Sequence, residues 1–221
     1  MIDYSNIGKG GIVKEGIFNR FEILKPALLD NYWSDKHSKL MIVAESNYLG
    51  DDVDCVFKDP NLWYQGDDSR IKQLLKDQEK KVSNWKYYRT FSKLCKVMSE
   101  VANILCKSVY EEAVFYNYFL RPATKRANGE KGFKKDCEPL DRIVAGTALC
   151  GIIDIVIPDI VIFVSKYAFD EFMEYKKSVG YNTNATIDYV CHPASFGPNG
   201  WSKSENGKQK FEKLLKEYWV K

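Results

Sequence analysis

Four residues in this chain have side chains suited to reading and attacking a polar ring, and each follows a short apolar run. Leu40-Met41-Ile42-Val43-Ala44 leads into Glu45, and Glu112-Ala113-Val114-Phe115-Tyr116 leads into Asn117. Asp159-Ile160-Val161-Ile162-Phe163-Val164 leads into Ser165, and Ala185-Thr186-Ile187-Asp188-Tyr189-Val190-Cys191 leads into His192. A carboxylate can hold a water or accept hydrogen bonds. A primary amide offers a donor and an acceptor together, and an imidazole can donate to an oxygen on which charge develops. If the four runs are parallel strands, the four residues gather on the carboxyl edge of one sheet, where ligands bind in open α/β folds.

The elements between these runs support that reading. Phe91, Leu94, Cys95, Met98, Val101, Ala102 and Leu105 recur at helical spacing before the Asn117 run. Pro139 opens a second helix, carrying Leu140, Ile143, Val144, Thr147 and Ile152, which Pro158 ends. A third surrounds Tyr167–Tyr175, and a last one sets Phe211, Leu214, Leu215, Tyr218 and Trp219 on one stripe. Ser69 is placed to cap a further helix with Ile71, Leu74, Leu75 and Val82. Residues 121–136 read as a basic loop. Alternating strands and helices predict an α/β fold, a three-layer α/β/α domain with a four-stranded, mostly parallel central sheet. One domain over residues 1–221 is expected, with 1–36 an N-terminal extension packing on it.

Composition narrows the function classes. Among 221 residues, 33 Lys and Arg against 30 Asp and Glu leave a net charge of +3, which permits nucleic-acid binding without demanding it. Fourteen Tyr, twelve Phe and five Trp provide more flat rings than a core of this size needs. The six cysteines form no C-x-x-C pair, so neither a disulfide framework nor a zinc or iron–sulfur site is expected. Gly8-Lys9-Gly10-Gly11 lacks the spacing of a phosphate loop. With no secretory leader in the Met1-Ile2-Asp3-Tyr4-Ser5 start and no bilayer-length apolar stretch, the expected compartment is the cytoplasm. His37 precedes the first strand, at the wrong end of the sheet, and is read as a surface residue.

The order of these motifs resembles the uracil-DNA glycosylase superfamily. Val43-Ala44-Glu45-Ser46-Asn47-Tyr48 stands where that family has a strand followed by G-Q-D-P-Y-H or G-E-x-P-G. Phe115-Tyr116-Asn117-Tyr118 is similar to the strand closed by an Asn. Pro158-Asp159-Ile160-Val161-Ile162-Phe163 resembles the P-x-x-[VI]-[VI] strand, and His192-Pro193-Ala194-Ser195 the H-P-S segment before a DNA-contacting loop. The likeness spans roughly residues 39–218. It implies a monomer that binds a nucleobase in DNA and hydrolyses its N-glycosidic bond without metal or organic cofactor. Asn117 would read the base edge, His192 would donate to a base oxygen, Tyr48 would wall the pocket, and Phe57 or Trp63 would stack on the base. Ser195, Phe196, Trp201 and Lys203 would face DNA, with Phe196 or Trp201 as the wedge, and Lys203, Lys208 and Lys210 would meet phosphates.

The chain departs from the family where the best-known branch has a water-activating Asp, because Ser46 stands there. The role then falls on Glu45, Asp51 or Asp52, among which the sequence does not choose. Two alternatives follow: a non-catalytic nucleic-acid or nucleotide-binding relative, and a small-substrate α/β hydrolase using Ser46 or Ser195. The second lacks the G-x-S-x-G elbow.

Overall fold

The computed structural model describes residues 2–9, 16–28, 35–48, 59–65, 88–123 and 133–221, and excludes the side chains of Ile23, Tyr48 and Gln65. The helix expected after Ser69 lies outside them.

Four apolar runs build four strands: β1 (Leu40–Tyr48), β2 (Val114–Ala123), β3 (Ile160–Phe163) and β4 (Thr186–Tyr189). They form one sheet in the order β2–β1–β3–β4, and every neighbouring pair is parallel. Strands buried on both faces read as continuous apolar runs, which is why the pattern was legible. Side chains alternate between the faces. Met41 and Val43 enter one core, while Leu40, Ile42 and Ala44 enter the other.

Helices cover both faces. Single-turn α1 (Ile17–Arg20), α2 (Pro60–Gln65), α5 (Pro139–Val156) and α6 (Lys166–Ser178) lie on the Val43 face. On the Ile42 face lie α3 (Arg89–Ala102), single-turn α4 (Val109–Glu112) and α7 (Lys208–Leu214), which runs on into a wider turn, Leu215–Trp219. The result is a three-layer α/β/α fold. The N-terminal segment belongs to the first core: Ile17, Phe18 and Phe21 are buried in it, and Ala27 bridges Phe115 on the outer edge of β2.

Between β1 and β2 the chain carries α2 on the Val43 face and α3 and α4 on the Ile42 face, α5 and α6 lie on the Val43 face after β2 and β3, and the strand order sets β2 and β3 on opposite sides of β1. The chain therefore changes direction across the sheet between β1 and β3. In open α/β sheets ligands bind outside the carboxyl ends of the strands at such a switch point.

Three boundaries differ from the sequence expectation. Asn117 does not close its strand, since β2 continues to Ala123. Arg121, read as part of a basic loop, is fully buried in that strand. Its guanidinium donates to both Asp141 carboxylate oxygens, at 2.9 and 2.6 Å. Tyr64 donates its hydroxyl to the same carboxylate at 2.9 Å, which also caps the first turn of α5 through the Glu138 amide. A buried cation is tolerable only when paired in this way. Helix α3 ends at Ala102 with Asn103 in the left-handed region (φ 52°), so Leu105 leaves its apolar face and is exposed.

His37 is not on the surface. It is 3% exposed, packs against Trp219 at 4.4 Å between ring centroids and meets the Glu112 carboxylate at 2.7 Å. Among the described residues no helix is long and apolar enough to cross a membrane.

Candidate functional site

Strand register sets the candidate residues at nearly one height. Tyr116, Val43, Phe163 and Tyr189 form one row across the sheet. Asn117 is the next residue beyond that row, Glu45 and Ser165 are the second beyond it, and His192 is the third. At about 3.3 Å per residue, the four fall within roughly 10 Å along the strands. Glu45 on β1 and Ser165 just after β3 meet across the two neighbouring strands at this switch point.

The Glu45 carboxylate is fixed at both oxygens. Oε1 accepts the Phe133 amide at 2.9 Å, and Oε2 accepts the Ser165 hydroxyl at 2.7 Å. Ser165 is the N-cap of α6 and also accepts the Ala168 amide at 3.3 Å. Helix α6 thus starts against the carboxylate. Each carboxylate oxygen has a second acceptor site open to a water or ligand.

Asn117 is held by a residue to which the sequence assigned no role. Its Nδ2 donates to Asn47 Oδ1 at 3.1 Å, and Asn47 is 4% exposed. Glu45 and Asn47 share a strand face, whereas Asn117 follows the Ala44 side, as its pairing with Ala44 shows. The ladder shifts register between Ser46 and Tyr48, the kind of irregularity that re-aims side chains at a sheet rim. The bond leaves Asn117 one N–H and its carbonyl oxygen.

His192 is placed by the turn after β4. Its Nδ1 accepts the Ala194 amide at 3.2 Å, so in the neutral ring the proton sits on Nε2. Part of the ring is open to solvent. Even so, the protein packed around it strips enough water to hold its pKa below the ordinary histidine value of 6.5. The Glu45 charge pulls that pKa back up, and Lys93 pushes it further down. The neutral imidazole is therefore the resting form at neutral pH, with an Nε2–H donor.

A stack of aromatic rings, two of them fully buried, packs in the core on the Glu45 face. Phe119 stacks on Phe133 at 4.4 Å and on Tyr167 at 5.6 Å between centroids. None of these three was singled out from sequence. Their signal was present only as ring types beside Asn117, Glu45's partner and Ser165.

The remaining expectations divide. Phe196 is 71% exposed in the loop after His192, and Lys203 is exposed in the following turn. Trp201 is corrected: at 2% exposure its indole packs against Phe211 at 5.6 Å, so it belongs to the core and cannot enter a base stack. Trp63 is corrected for the same reason, being fully buried and stacked on Phe21 at 5.6 Å. Ser195 is a loop staple. Its hydroxyl donates to the His192 carbonyl at 2.5 Å and accepts the Trp201 amide at 3.1 Å. With the His192 Nδ1 also occupied, no Ser195–His192 nucleophile pair forms. Lys208 is held by Glu100 (3.2 Å) and Glu212 (3.1 Å), and Lys210 by Asp188 (2.7 Å), so neither is a free phosphate ligand. Phe57, Asp51 and Asp52 lie outside the described residues, as does the Tyr48 side chain.

No model of a known protein family matches this chain, and no curated protein matches it.

Proposed function

We propose that this chain is a uracil-DNA-glycosylase-like protein that binds a nucleobase in DNA and hydrolyses its N-glycosidic bond, a base-excision step. One observation carries the reading: a neutral imidazole with an Nε2–H donor feels the charge of a carboxylate fixed by two hydrogen bonds at the sheet's switch point. Departure of a base leaves negative charge on its ring oxygens and positive charge on the sugar. His192 Nε2–H would hydrogen-bond the base oxygen as its charge grows. Glu45 would sit near the sugar, stabilise its cationic character and accept a proton from the attacking water. The water oxygen bonds to the sugar carbon, and the base leaves with the electrons of the broken C–N bond. Asn117 would read the base edge with its remaining N–H and carbonyl.

A second reading is binding without cleavage. It is favoured by the two hydrogen bonds already on Glu45, which take up acceptor sites that an attacking water would use. The assay that separates the two is release of free base from oligonucleotides containing uracil, hypoxanthine or alkylated bases. The enzyme reading expects release that His192→Ala slows by about two to three powers of ten, the loss for one preorganised donor. Glu45→Gln should damage it as well. No release by the wild-type protein, with binding retained, assigns it to the second reading.

A further inference from the structure

A cavity of about 430 Å³ opens in the N-terminal segment, within the size range of small-molecule sites. Among the described residues, those that line it all lie between Ile2 and Lys25, so it shares none with the sheet edge that carries Glu45 and His192. Its apolar part is a pair of rings, Tyr4 and Phe18, set edge to face at 6.0 Å between centroids. Tyr4 is 8% exposed, and among the described residues its hydroxyl has no hydrogen-bond partner. Burial pushes the pKa of that hydroxyl up to about 12, so it stays neutral and can both donate and accept. A buried polar group without a protein partner is an exception that calls for a ligand or a water.

The charged part of the lining is acidic. The Ser5 amide donates to Asp3 Oδ1 at 2.9 Å. That bond, and after it one from the Ser5 hydroxyl, holds the Asp3 carboxyl below the ordinary carboxylate range, so it is ionised at neutral pH. Among the described residues no cation pairs with Asp3, whereas Glu22 is matched by Lys25 at 3.4 Å. The walls are set before any ligand arrives. Asn19 Nδ2 donates to the Ser5 carbonyl at 3.2 Å, and the Ile17 amide donates to the Ile7 carbonyl at 2.7 Å. A Cβ on Gly16 (φ 91°) would collide with the same Ser5 carbonyl, so glycine is what lets the first turn and α1 come this close.

We propose that this cavity binds a small organic cation, a protonated amine carried on a flat apolar body. The inference goes beyond the nucleobase reading and does not depend on it. The ammonium faces the Asp3 carboxylate and gives one N–H to the Tyr4 hydroxyl oxygen, the group that folding left without a partner. The apolar body lies against the Tyr4 and Phe18 rings, whose quadrupoles also attract the cation. An anion would be repelled by Asp3, and a neutral ligand would leave its charge unused. Because hydrogen bonds already fix the first turn, binding adds little chain ordering.

The test is a matched set of three indole probes on the full chain: tryptamine, the neutral tryptophol and the anion indole-3-acetate. Each is titrated by calorimetry and by NMR of the Tyr4 ring signals, assigned with Tyr4→Phe. Tryptamine should shift those signals and bind about fivefold more tightly than tryptophol, the gain of one exposed ion pair and one cation–π contact. Indole-3-acetate should bind weakest. Asp3→Asn should lower the tryptamine affinity about two- to fivefold and leave that of tryptophol unchanged. Tyr4→Phe should lower it about three- to tenfold, the loss of one hydrogen bond, with an unchanged melting temperature because the hydroxyl has no protein partner. Equal affinity for the three probes, tighter binding of indole-3-acetate, or wild-type tryptamine affinity in both variants overturns the site. A shift of the His192 signals with Tyr4 silent places the amine at the sheet edge and overturns it also, as does no response to tryptamine at all.

Discussion

His192 is oriented by a backbone amide, and this single hydrogen bond decides which face of the ring can serve a ligand. Its lowered pKa has a stability consequence with a definite sign. The unfolded chain takes up the proton near the ordinary value of 6.5, while the folded chain resists it. The contribution is therefore fully present above that pH and is lost as pH falls through the lowered folded value. Ring NMR of the two histidines, assigned with a His192→Asn variant, should give a His192 midpoint below 6.5. Urea unfolding between about pH 8 and pH 5 should show a shallower stability loss in that variant than in the wild type. A midpoint at or above the ordinary value would remove the neutral-donor role. Asn47 belongs to the same scale. Asn47→Ala leaves the Asn117 amide without its anchor, so base binding should weaken while the fold loses about 1–3 kcal/mol. Asn117→Ala should lose base binding with the fold largely intact. Ligand titration beside thermal unfolding tells these apart, and a melting drop with unchanged binding per folded molecule would make the amide pair purely structural.

At the scale of elements, two helix starts build the rim. The α6 N-cap Ser165 braces Glu45, and the α5 start is tied to β2 through Asp141 and Arg121. Both use a side chain that satisfies a helix-end amide and something across the sheet together. The Arg121–Asp141–Tyr64 cluster has no place in the chemistry, but it fixes the far end of β2 and the turn that presents the Phe133 amide to Glu45. Asp141→Ala should destabilise by about 3–5 kcal/mol, because it strands the Arg121 charge in the core. Chemical denaturation measures this directly, and a loss near that of an exposed pair, under about 1 kcal/mol, would mean that water reaches the cluster. Sequence missed the cluster because Arg121 stands next to Pro122 in a lysine-rich stretch, a pattern that reads as loop. Burial of an arginine is decided by a partner twenty positions away, which periodicity does not report.

For the molecule as a whole, the sheet order sets the switch point between β1 and β3, and the N-terminal segment completes one layer. Phe21 is fully buried, stacked on Trp63 and edge-on to Tyr64, so the first residues are part of the core. Phe21→Ala should cost about 3–5 kcal/mol by urea unfolding. A cost below about 1 kcal/mol would show the segment to be a detachable cover. The strands, their parallel pairing and the positions of Ser165 and His192 beyond β3 and β4 were set by the sequence alone, whereas Glu45, expected to begin a loop, lies inside β1, which runs on to Tyr48. Apolar runs of strand length alternating with helical spacing leave few other arrangements, and polar residues are excluded from strands buried on both faces. Only tertiary structure decided which side chains were free. It withdrew Trp201 and Trp63 into the cores and bound Lys208 and Lys210 to carboxylates. It also set Arg89 and Lys93 beside Phe196. The physical reason is that availability is a property of neighbours: a ring or a charge has the same sequence signature whether the space around it holds protein or water.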